Sequence, residues 1–306
     1  MKHVGKEITR IETSDYHLGT KTISLIECQT CGFAHQYPLP TLEQLGDYYA
    51  YHFYQKQKPD YLTKMDEESD YWQTLYTWRI NQVKPFLKNV TPNVLDVGSS
   101  GGFFLNAART LGANVYGIEP SEQAANYCKD KFGIEVSVDI YEKCEYQSKF
   151  FDVVHISLVL EHLLDPKHFV SWAKNILKED GILIIEAPFE FNDLQNVLVK
   201  EMAYPHWYFS YPDHINYFSK DMLTTFVESQ DFKRVEALSS YPMEAFVLGG
   251  CDYLKDPEKG GLAHKSRMNF EMNLLKNNSE KVYTNMSRSW SENNIGRTQI
   301  LYFASK

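Results

Sequence analysis

The sequence predicts an α/β fold in which a doubly wound, mostly parallel sheet of seven strands is covered by helices on both faces. Two observations predict this fold. Between residues 94 and 188, short apolar segments alternate with segments whose apolar residues recur at helical spacing. The cores of the short segments are apolar throughout, which is typical of parallel strands buried on both faces. A repeat of strand and helix at this pitch implies right-handed crossovers.

The elements can be assigned in chain order from these patterns. Residues 94–98, "VLDVG", form the first strand, and "GGFFLNAARTLG" forms a helix that stops at Gly112. The second helix, "SEQAANYCKDKFG", has Ser121 as its N-cap and Gly133 after its end. The other strands are "NVYGIEP", "IEVSVD", "FDVVHIS", "ILIIEAP", "KRVEALSS" and "TQILYFASK".

The 306 residues are enough for a large core domain with a small appendage. We expect residues 1–60 to form a small N-terminal element with a Cys-x-x-Cys sequence, and residues 61–306 to form the core domain. Three segments of the core lie outside the alternating pattern. They are leading helices over 61–93, a lid over 188–218 and a helical insertion over 241–297, which is too long for a hairpin turn.

Charge and composition exclude several classes of partner. The formal net charge is −9, and lysines and arginines are scattered among acids. A nucleic-acid partner is therefore not expected, because phosphate binding needs a concentrated basic surface. No run of 18 apolar residues predicts a membrane span. The first 15 residues do not resemble a signal peptide, and the cysteine count of five is odd, so we expect a cytoplasmic protein.

The glycine-rich turn after the first strand is the expected ligand site, since ligands of doubly wound sheets bind beyond the carboxyl ends of the strands. A dinucleotide site needs G-x-G-x-x-G, but Ser100 and Phe103 occupy the second and third glycine positions. A nucleoside triphosphate site needs G-x-x-x-x-G-K-[ST], and no lysine follows here. The turn therefore favours a ligand that contains a nucleoside but no phosphate.

The segment "LDVGSSGG" resembles the first motif of class I S-adenosylmethionine-dependent methyltransferases, L-D-x-G-x-G-x-G. Asp96, Gly98 and Gly102 match this motif, and Ser100 replaces its middle glycine. The resemblance implies that the loop, which includes Ser99, runs under the methionine part of S-adenosylmethionine. It also implies that Asp96 supports the loop or the ammonium group of the cofactor.

The ends of the next two strands carry acidic residues. Glu119 ends the second strand, where a carboxylate can accept both ribose hydroxyls. The alternative is that Glu119 is only a negative charge at a helix N-terminus. Asp139 ends the third strand, and the resemblance implies that it accepts the adenine amino group while Ile140 packs on the ring.

The segment "FDVVHISLVLEHLLDP" resembles the fourth-strand region of the same family, which commonly reads F-D-x-V, L-E-H and D-P. The resemblance places Ser157 at the edge of the cofactor, and Glu161 and His162 at the pocket. His162 is one candidate for the catalytic base. A buried histidine bonded to the backbone beside the cofactor is the favoured interpretation of that residue.

Methyl transfer is an in-line displacement, so the protein must align donor and acceptor and deprotonate an acceptor that is not already nucleophilic. The segment "YFSYPDHINYFSKDML" (208–223) resembles the Tyr-x-Glu-His and Tyr-Phe-Ser region of deoxysugar C-methyltransferases and their relatives. By that resemblance His214 is the candidate base, Tyr211 assists at a carbonyl or hydroxyl, and Asp213 replaces the glutamate. The alternative is that His214 braces the lid and Asp213 orients it.

The N-terminal segment "IECQTCGFAHQYPLP" resembles the second half of the four-cysteine zinc knuckle of that group. Only Cys28 and Cys31 are present, and no cysteine precedes them. A structural zinc normally takes four ligands, so two more would have to come from residues such as His3, His17 or His35. The sequence therefore disfavours zinc and favours a hairpin with two free thiols.

These observations together predict a methyltransferase with a small-molecule acceptor. The resemblance to deoxysugar enzymes implies a sugar or nucleotide-sugar acceptor, methylated at carbon or oxygen, in cell-surface or natural-product biosynthesis. Two alternatives remain open at this point. One is a nicotinamide-dependent oxidoreductase on a similar sheet, against which the broken glycine pattern argues, and the other is a non-catalytic nucleoside-binding relative.

Overall fold

A computed structural model describes residues 3–15, 19–41, 44–45, 60–212 and 214–306 of the chain. The strands are β1 (Gly5–Asp15), β2 (Gly19–Cys28), β3 (Ala34–Tyr37), β4 (Asn93–Val97), β5 (Asn114–Ile118), β6 (Phe151–Ser157), β7 (Leu177–Pro188), β8 (Asn216–Tyr217), β9 (Phe232–Ser239) and β10 (Thr298–Ser305). The helices are α1 (Tyr61–Glu67), α2 (Ser69–Val83), α3 (Phe103–Thr110), α4 (Glu122–Phe132), α5 (Pro166–Ile176), α6 (Asp193–Asn196), α7 (Lys220–Glu228), α8 (Glu244–Leu248), α9 (Glu258–Lys276) and α10 (Glu280–Glu292). Single turns of other helix types cover Lys84–Phe86, Tyr141–Lys143, Leu160–His162 and Val197–Glu201.

The larger sheet has the strand order β5–β4–β6–β7–β10–β9. The pairs β4–β5, β4–β6 and β6–β7 are parallel, and β10 is antiparallel to both β7 and β9. This confirms the predicted α/β class with a mostly parallel sheet. Strand β4 lies between β5 and β6, so the winding reverses beside it and leaves a crevice at the carboxyl ends of these strands.

The sequence predicted seven strands in the main sheet, whereas the larger sheet has six strands among the described residues. The predicted third strand, "IEVSVD", is reduced to a single parallel bridge between Ser137 and Ile118. Ser137 donates to the carbonyl of Gly117 and accepts from the N–H of Glu119. Beyond the bridge, the Asp139 carboxylate accepts the N–H of Ile140, a local bond of the kind that competes with strand pairing.

Residues that follow one another along the central strands face opposite sides of the larger sheet. Val154 on β6 belongs to a core that includes Phe169 of α5 and Leu223 of α7. Val153, the preceding residue, belongs to the core on the other face, which contains side chains of α2, α3 and α10. The sheet is therefore covered on both sides, which explains why its strands are apolar throughout.

A second, antiparallel sheet has the order β1–β2–β3–β8. Strands β1 to β3 come from the N-terminal segment, whereas β8 lies within the segment predicted to be a lid. Ala34 pairs with Tyr217 and His35 with Asn216, so the N-terminal element is joined directly to that segment. The domain boundary at residue 60 stays a prediction.

Helices α8, α9 and α10 lie within residues 241–297, before the last strand. The predicted cap of α4 is also present, since the Ser121 hydroxyl accepts the N–H of Ala124 and Gly133 adopts the left-handed conformation after the helix. Among the described helices, none has both the length and the apolar character needed to cross a bilayer.

Two glycines with left-handed backbone allow a test of how tightly the loop after β4 is packed. Gly102 has a φ of +80°, and a Cβ there would lie 2.1 Å from Cys128 Sγ. Gly112 has a φ of +94°, but a Cβ there would meet nothing within 4 Å. Replacement by alanine costs about 1–2 kcal/mol of backbone strain at either site, and overpacking adds about 1–3 kcal/mol at Gly102 alone.

We therefore expect Gly102→Ala to lower the free energy of unfolding by clearly more than Gly112→Ala, as measured by urea denaturation. A Cys128→Ala change added to Gly102→Ala should recover part of the loss. Equal losses at the two glycines would contradict the close packing of this loop.

Candidate active site

The loop after β4 lies at the crevice and has the backbone shape that a cofactor loop needs. Gly98 and Gly102 adopt φ angles of +74° and +80°. Ser100, which stands where the usual motif has glycine, adopts a φ of +46° and so keeps the left-handed conformation. The N–H groups of Gly98 and Ser99 both donate to the carbonyl of Ile118, which fixes the loop to β5.

Glu119 lies directly beside this loop and is 4% exposed. One carboxylate oxygen accepts the N–H of Ser100 and the other accepts the N–H of Ser121, both at 2.8 Å. Burial raises the pKa of Glu119, and these two backbone donors oppose that rise. Each oxygen retains a second lone pair, so the carboxylate can still accept a ribose hydroxyl at each end.

The residues predicted to surround the adenine lie at the same edge of the sheet. Ile140 is 44% exposed, and Leu158, which was not among the predicted residues, is exposed to the same extent. The Asp139 carboxylate accepts the N–H of Ile140 and lies 3.2 Å from Lys143 Nζ. Both contacts lower the pKa of Asp139, and the hydrogen bond from Ile140 has the larger effect. The Ser157 hydroxyl donates to Glu186, so it is tied to the sheet. The roles of these residues toward adenine stay predictions.

Asp96 has a partner that the sequence did not reveal. Its carboxylate lies 2.7 Å from Nδ1 of His155, and both side chains are buried. Arg79 Nη1 lies 3.3 Å from the other ring nitrogen of His155, and 2.6 Å from Glu186. A guanidinium only donates, so Nε2 of His155 accepts and its Nδ1 donates to Asp96. Thr298 completes this network by donating to Glu186.

The predicted catalytic histidine lies next to the predicted pocket residues. Donor atoms of Glu161, His162 and His214 all lie within 4.8 Å of one another. The ring centroids of His162 and His214 are 5.0 Å apart at an interplanar angle of 79°, and His162 Nε2 is 3.9 Å from Glu161 Oε1. Two imidazoles beside a buried carboxylate can move a proton, and the same donor set can hold a divalent metal ion.

Long-range hydrogen bonds hold the two segments of this cluster together. The N–H of Ile215 donates to the carbonyl of Glu161 at 2.8 Å. The side-chain amide of Asn216 donates to the carbonyl of Leu163 at 2.7 Å. The loop that carries His214 is therefore fixed to the turn that follows β6, at the carboxyl edge of the sheet.

Tyr211 packs with Phe209, Tyr208 and Phe191 in an apolar cluster between the lid and the N-terminal sheet. Its catalytic role stays a prediction. Asp213, the third predicted catalytic residue, lies outside the described part of the chain.

A buried acid near this cluster was not predicted. Glu190 follows β7, is 5% exposed, and accepts from the side chain of Gln195 at 2.8 Å. Burial raises its pKa to about 8, and the nearby carboxylates of Glu244 and Glu161 add to the rise. The only signal in the sequence is an acid two residues beyond a buried strand.

A second group of potential metal ligands lies in the N-terminal element. His3, Cys28, Cys31 and His35 each offer a donor atom, and these atoms lie within 4.8 Å of one another. The sequence predicted Cys28 and Cys31 as half a site, and the structure brings two histidines to them.

Comparison with known proteins identifies the class. Residues 70–237, more than half of the chain, match the model of a methyltransferase domain family. The chain belongs to this family of S-adenosylmethionine-dependent methyltransferases. It is therefore an enzyme of that class, and S-adenosylmethionine is its cofactor.

Curated relatives share only part of their length with this chain. The ubiquinone biosynthesis O-methyltransferase of Glaesserella parasuis is 32% identical over 104 residues, which cover 30% of this chain and 43% of the relative. The mitochondrial ubiquinone biosynthesis O-methyltransferase of Homo sapiens is 34% identical over 101 residues, which cover 30% of this chain and 27% of the relative. The chain thus spans less than half the length of these relatives.

Solved structures agree on the fold. A chain from the complex between the Haloferax volcanii Trm112 methyltransferase activator and a methyltransferase superposes with a TM-score of 0.50 at 13% identity. The superposition covers 81% of this chain and 96% of the other. At this identity the likeness extends to the fold alone.

These comparisons correct the expected acceptor. The sugar or nucleotide-sugar acceptor implied by residues 208–223 is wrong, because the curated relatives are named for ubiquinone biosynthesis. The assignment to carbohydrate biosynthesis is removed with it. The nicotinamide oxidoreductase alternative is also wrong, because the matched family is one of methyltransferases.

Glu119 provides a test of the cofactor site. We expect Glu119→Gln to weaken binding of S-adenosylhomocysteine at least about tenfold, because an amide cannot accept from two backbone N–H groups and two ribose hydroxyls. Isothermal titration calorimetry measures the change. The matched control is Glu135→Gln, whose carboxylate is exposed and pairs with Lys129. Equal affinities in both variants would contradict the ribose role.

Glu190 provides a test of the buried acid. Its pKa is raised from 4.5 to about 8 in the folded state, so the folded protein holds a proton that the unfolded chain releases earlier. Its stabilising contribution is therefore complete below pH 4.5 and is lost as the pH rises to about 8. We expect Glu190→Gln to flatten the fall of Tm over this range, whereas Glu201→Gln, at an exposed position, keeps the wild-type slope. Parallel curves for Glu190→Gln and the wild type would contradict this burial.

Proposed function

We propose that this protein transfers the methyl group of S-adenosylmethionine to a ring hydroxyl of a small, quinone-related aromatic molecule. The observation that carries the proposal is the cluster of Glu161, His162 and His214 at the carboxyl edge of the sheet. This cluster supplies a candidate base at the same edge of the sheet as the loop after β4. The names of the curated relatives support an oxygen acceptor on a quinone-related ring.

The acidity of the acceptor agrees with a histidine base. A phenolic hydroxyl has a pKa of about 10, as in tyrosine, and an imidazole one of about 6.5. This gap is small enough for an imidazole to take the proton as the oxygen attacks the methyl group. An aliphatic hydroxyl is a far weaker acid and would need a stronger base than the cluster contains.

We assign His214 as the base and Glu161 as the group that stabilises the resulting positive charge. Glu161 is 1% exposed and lies between the lid segment and β6, so its carboxylate acts in a surrounding of low dielectric constant. His162 adjoins both groups and orients His214 through its ring contact. His162 and His214 are only partly buried, so the acceptor can reach them from the pocket.

Aromatic side chains beside His214 suit a flat acceptor. Tyr208 and Tyr211 are partly exposed and pack on the buried ring of Phe209. Such rings bind another aromatic ring by offset or edge-to-face contacts, which contribute about 0.5–1.5 kcal/mol beyond simple burial. A molecule held against them would present its hydroxyl group to the histidine pair.

A turnover assay tests this assignment. Soluble catechols and hydroquinones are incubated with S-adenosylmethionine, and both S-adenosylhomocysteine and the methylated product are measured by mass spectrometry. We expect at least one of these acceptors to be methylated on oxygen. We also expect His214→Ala to lower kcat by about 10²–10⁴-fold, the usual contribution of a positioned base.

Two controls separate chemistry from folding. The affinity of His214→Ala for S-adenosylhomocysteine should equal that of the wild type, because the residue belongs to the lid segment and not to the loop after β4. Added imidazole should restore part of the turnover of His214→Ala, since the substitution removes a side chain of the same size as imidazole. Methylation that is unchanged in His214→Ala, or that occurs only on carbon or nitrogen, would contradict the proposal.

A further inference from the structure

We propose that the N-terminal element binds one zinc ion through two cysteines and two histidines. The ligands are His3, Cys28, Cys31 and His35. The chain supplies them from four places: His3 lies two residues before β1, Cys28 ends β2, Cys31 lies in the turn between β2 and β3, and His35 lies on β3 itself. Two thiolates and two imidazoles form one of the common ligand sets of structural zinc.

The spacing of the donor atoms fits a tetrahedral ion. Nδ1 of His3 lies 3.7 Å from Cys28 Sγ and 3.4 Å from Cys31 Sγ. A tetrahedron with usual zinc–sulfur and zinc–nitrogen bonds has S···N edges of about 3.6 Å. The two observed distances therefore match the edges of such a site, and all four donor atoms fall within 4.8 Å of one another.

His35 is held in the form that a metal needs. Its Nδ1 lies 2.6 Å from the carbonyl oxygen of Gln36, which only accepts, so Nδ1 carries the hydrogen and the lone pair is on Nε2. His35 is 1% exposed, and its Nε2 has no hydrogen-bond partner among the described residues. Burial of a ring nitrogen without a hydrogen-bond partner costs free energy, and coordination of a metal ion by Nε2 would remove this cost. A backbone carbonyl on the other ring nitrogen is typical of histidine ligands.

The turn that carries the two cysteines is shaped around their sulfur atoms. Gly32 has a φ of +78° and donates its N–H to the carbonyl of Cys28, while the N–H of Cys28 donates to the carbonyl of Phe33. This tight hairpin places both thiols on one side. Phe33 fixes the orientation of the hairpin, because the Phe33 ring packs against Phe218 and Phe226 in the main core.

The start of β1 brings His3 to this hairpin. Gly5 lies so close to β2 that a Cβ on it would be 2.1 Å from the carbonyl oxygen of Glu27. The N–H of Gln29 donates to the carbonyl of Val4 at 2.9 Å. These contacts draw the residues before β1 over the turn, and the His3 ring meets the His35 ring edge-on at 4.7 Å between centroids.

The zinc site would also position the loop of the candidate base, and this part rests on the proposed function of His214. Gln36 follows His35 on β3, and its side-chain amide donates to the carbonyls of Ser210 and His214. The backbone N–H of Gln36 donates to the carbonyl of Ile215. A metal that fixes β3 would therefore fix the segment that carries His214, without contacting the acceptor.

Metal content tests the site directly. Protein purified from zinc-supplemented cells in chelator-free buffer should contain one zinc per chain by mass spectrometry. Cys31→Ser and His3→Ala should lose most of this zinc, whereas Cys251→Ser, which changes a cysteine outside the cluster, should retain it. After exchange with cobalt, the wild type should show the visible absorption of tetrahedral cobalt with thiolate ligands.

Absence of zinc from the wild type, together with no cobalt absorption after reconstitution of the reduced protein, would overturn the site. Equal zinc content in Cys31→Ser and Cys251→Ser would overturn it as well. His3→Ala changes a partly exposed residue at the edge of the sheet, so its result remains interpretable if Cys31→Ser fails to fold. None of these measurements needs an acceptor, so they are independent of the turnover assay.

Hydrogen exchange tests the connection to the lid. Removal of zinc should speed exchange in β3 and in residues 210–217, and should leave β4 and β5 unchanged. Unchanged exchange over 210–217 in a protein that has lost its zinc would overturn the positioning role.

Discussion

A buried ion pair between Arg79 and Glu186 joins the helices that precede the sheet to the edge where the site is built. The two charges are 2.6 Å apart, and both side chains are almost completely removed from solvent. Burial alone would lower the pKa of Arg79 and raise that of Glu186, but each charge shifts the other in the opposite direction. Loss of either partner would leave an uncompensated buried charge, which is strongly destabilising.

This ion pair also orders the polar side chains at the carboxyl ends of the central strands. Arg79 fixes the tautomer of His155, and His155 in turn directs its N–H to Asp96 at the end of β4. Glu186 accepts from Ser157 and Thr298, so the ends of β6, β7 and β10 are tied together. This network of buried polar contacts supports the loop after β4, whose backbone adopts the left-handed conformation.

The arrangement of the loop after β4 beside Glu119 was predictable from the sequence because it is local. The loop follows its strand directly, and Glu119 ends the next strand, so the parallel fold alone brings them together. The roles of Arg79 and His155 could not be predicted from the sequence in the same way. Each lies within a segment whose periodicity predicts a helix or a buried strand. The role of a polar residue in such a segment depends on partners that are distant in sequence.

The third predicted strand shows a similar limit. Its apolar residues indicated a strand, but an aspartate that bonds to the next N–H ended the pairing after one bridge. The histidines near Cys28 and Cys31 were candidates in the sequence, and the approach of β1 to β2 brings His3 to the thiols. His17, the third candidate, lies outside the described residues. The surroundings of His214 were the least predictable part, because they combine β3, the lid segment and the turn after β6.

The position of β10 has a consequence for how the chain folds during synthesis. Residues 298–305 are the last strand along the chain, yet they lie inside the larger sheet between β7 and β9. Until these residues leave the ribosome, both neighbouring strands expose an unpaired edge, and such edges promote aggregation. Closure of the sheet by β10 is therefore a long-range event that follows the synthesis of both of its neighbours.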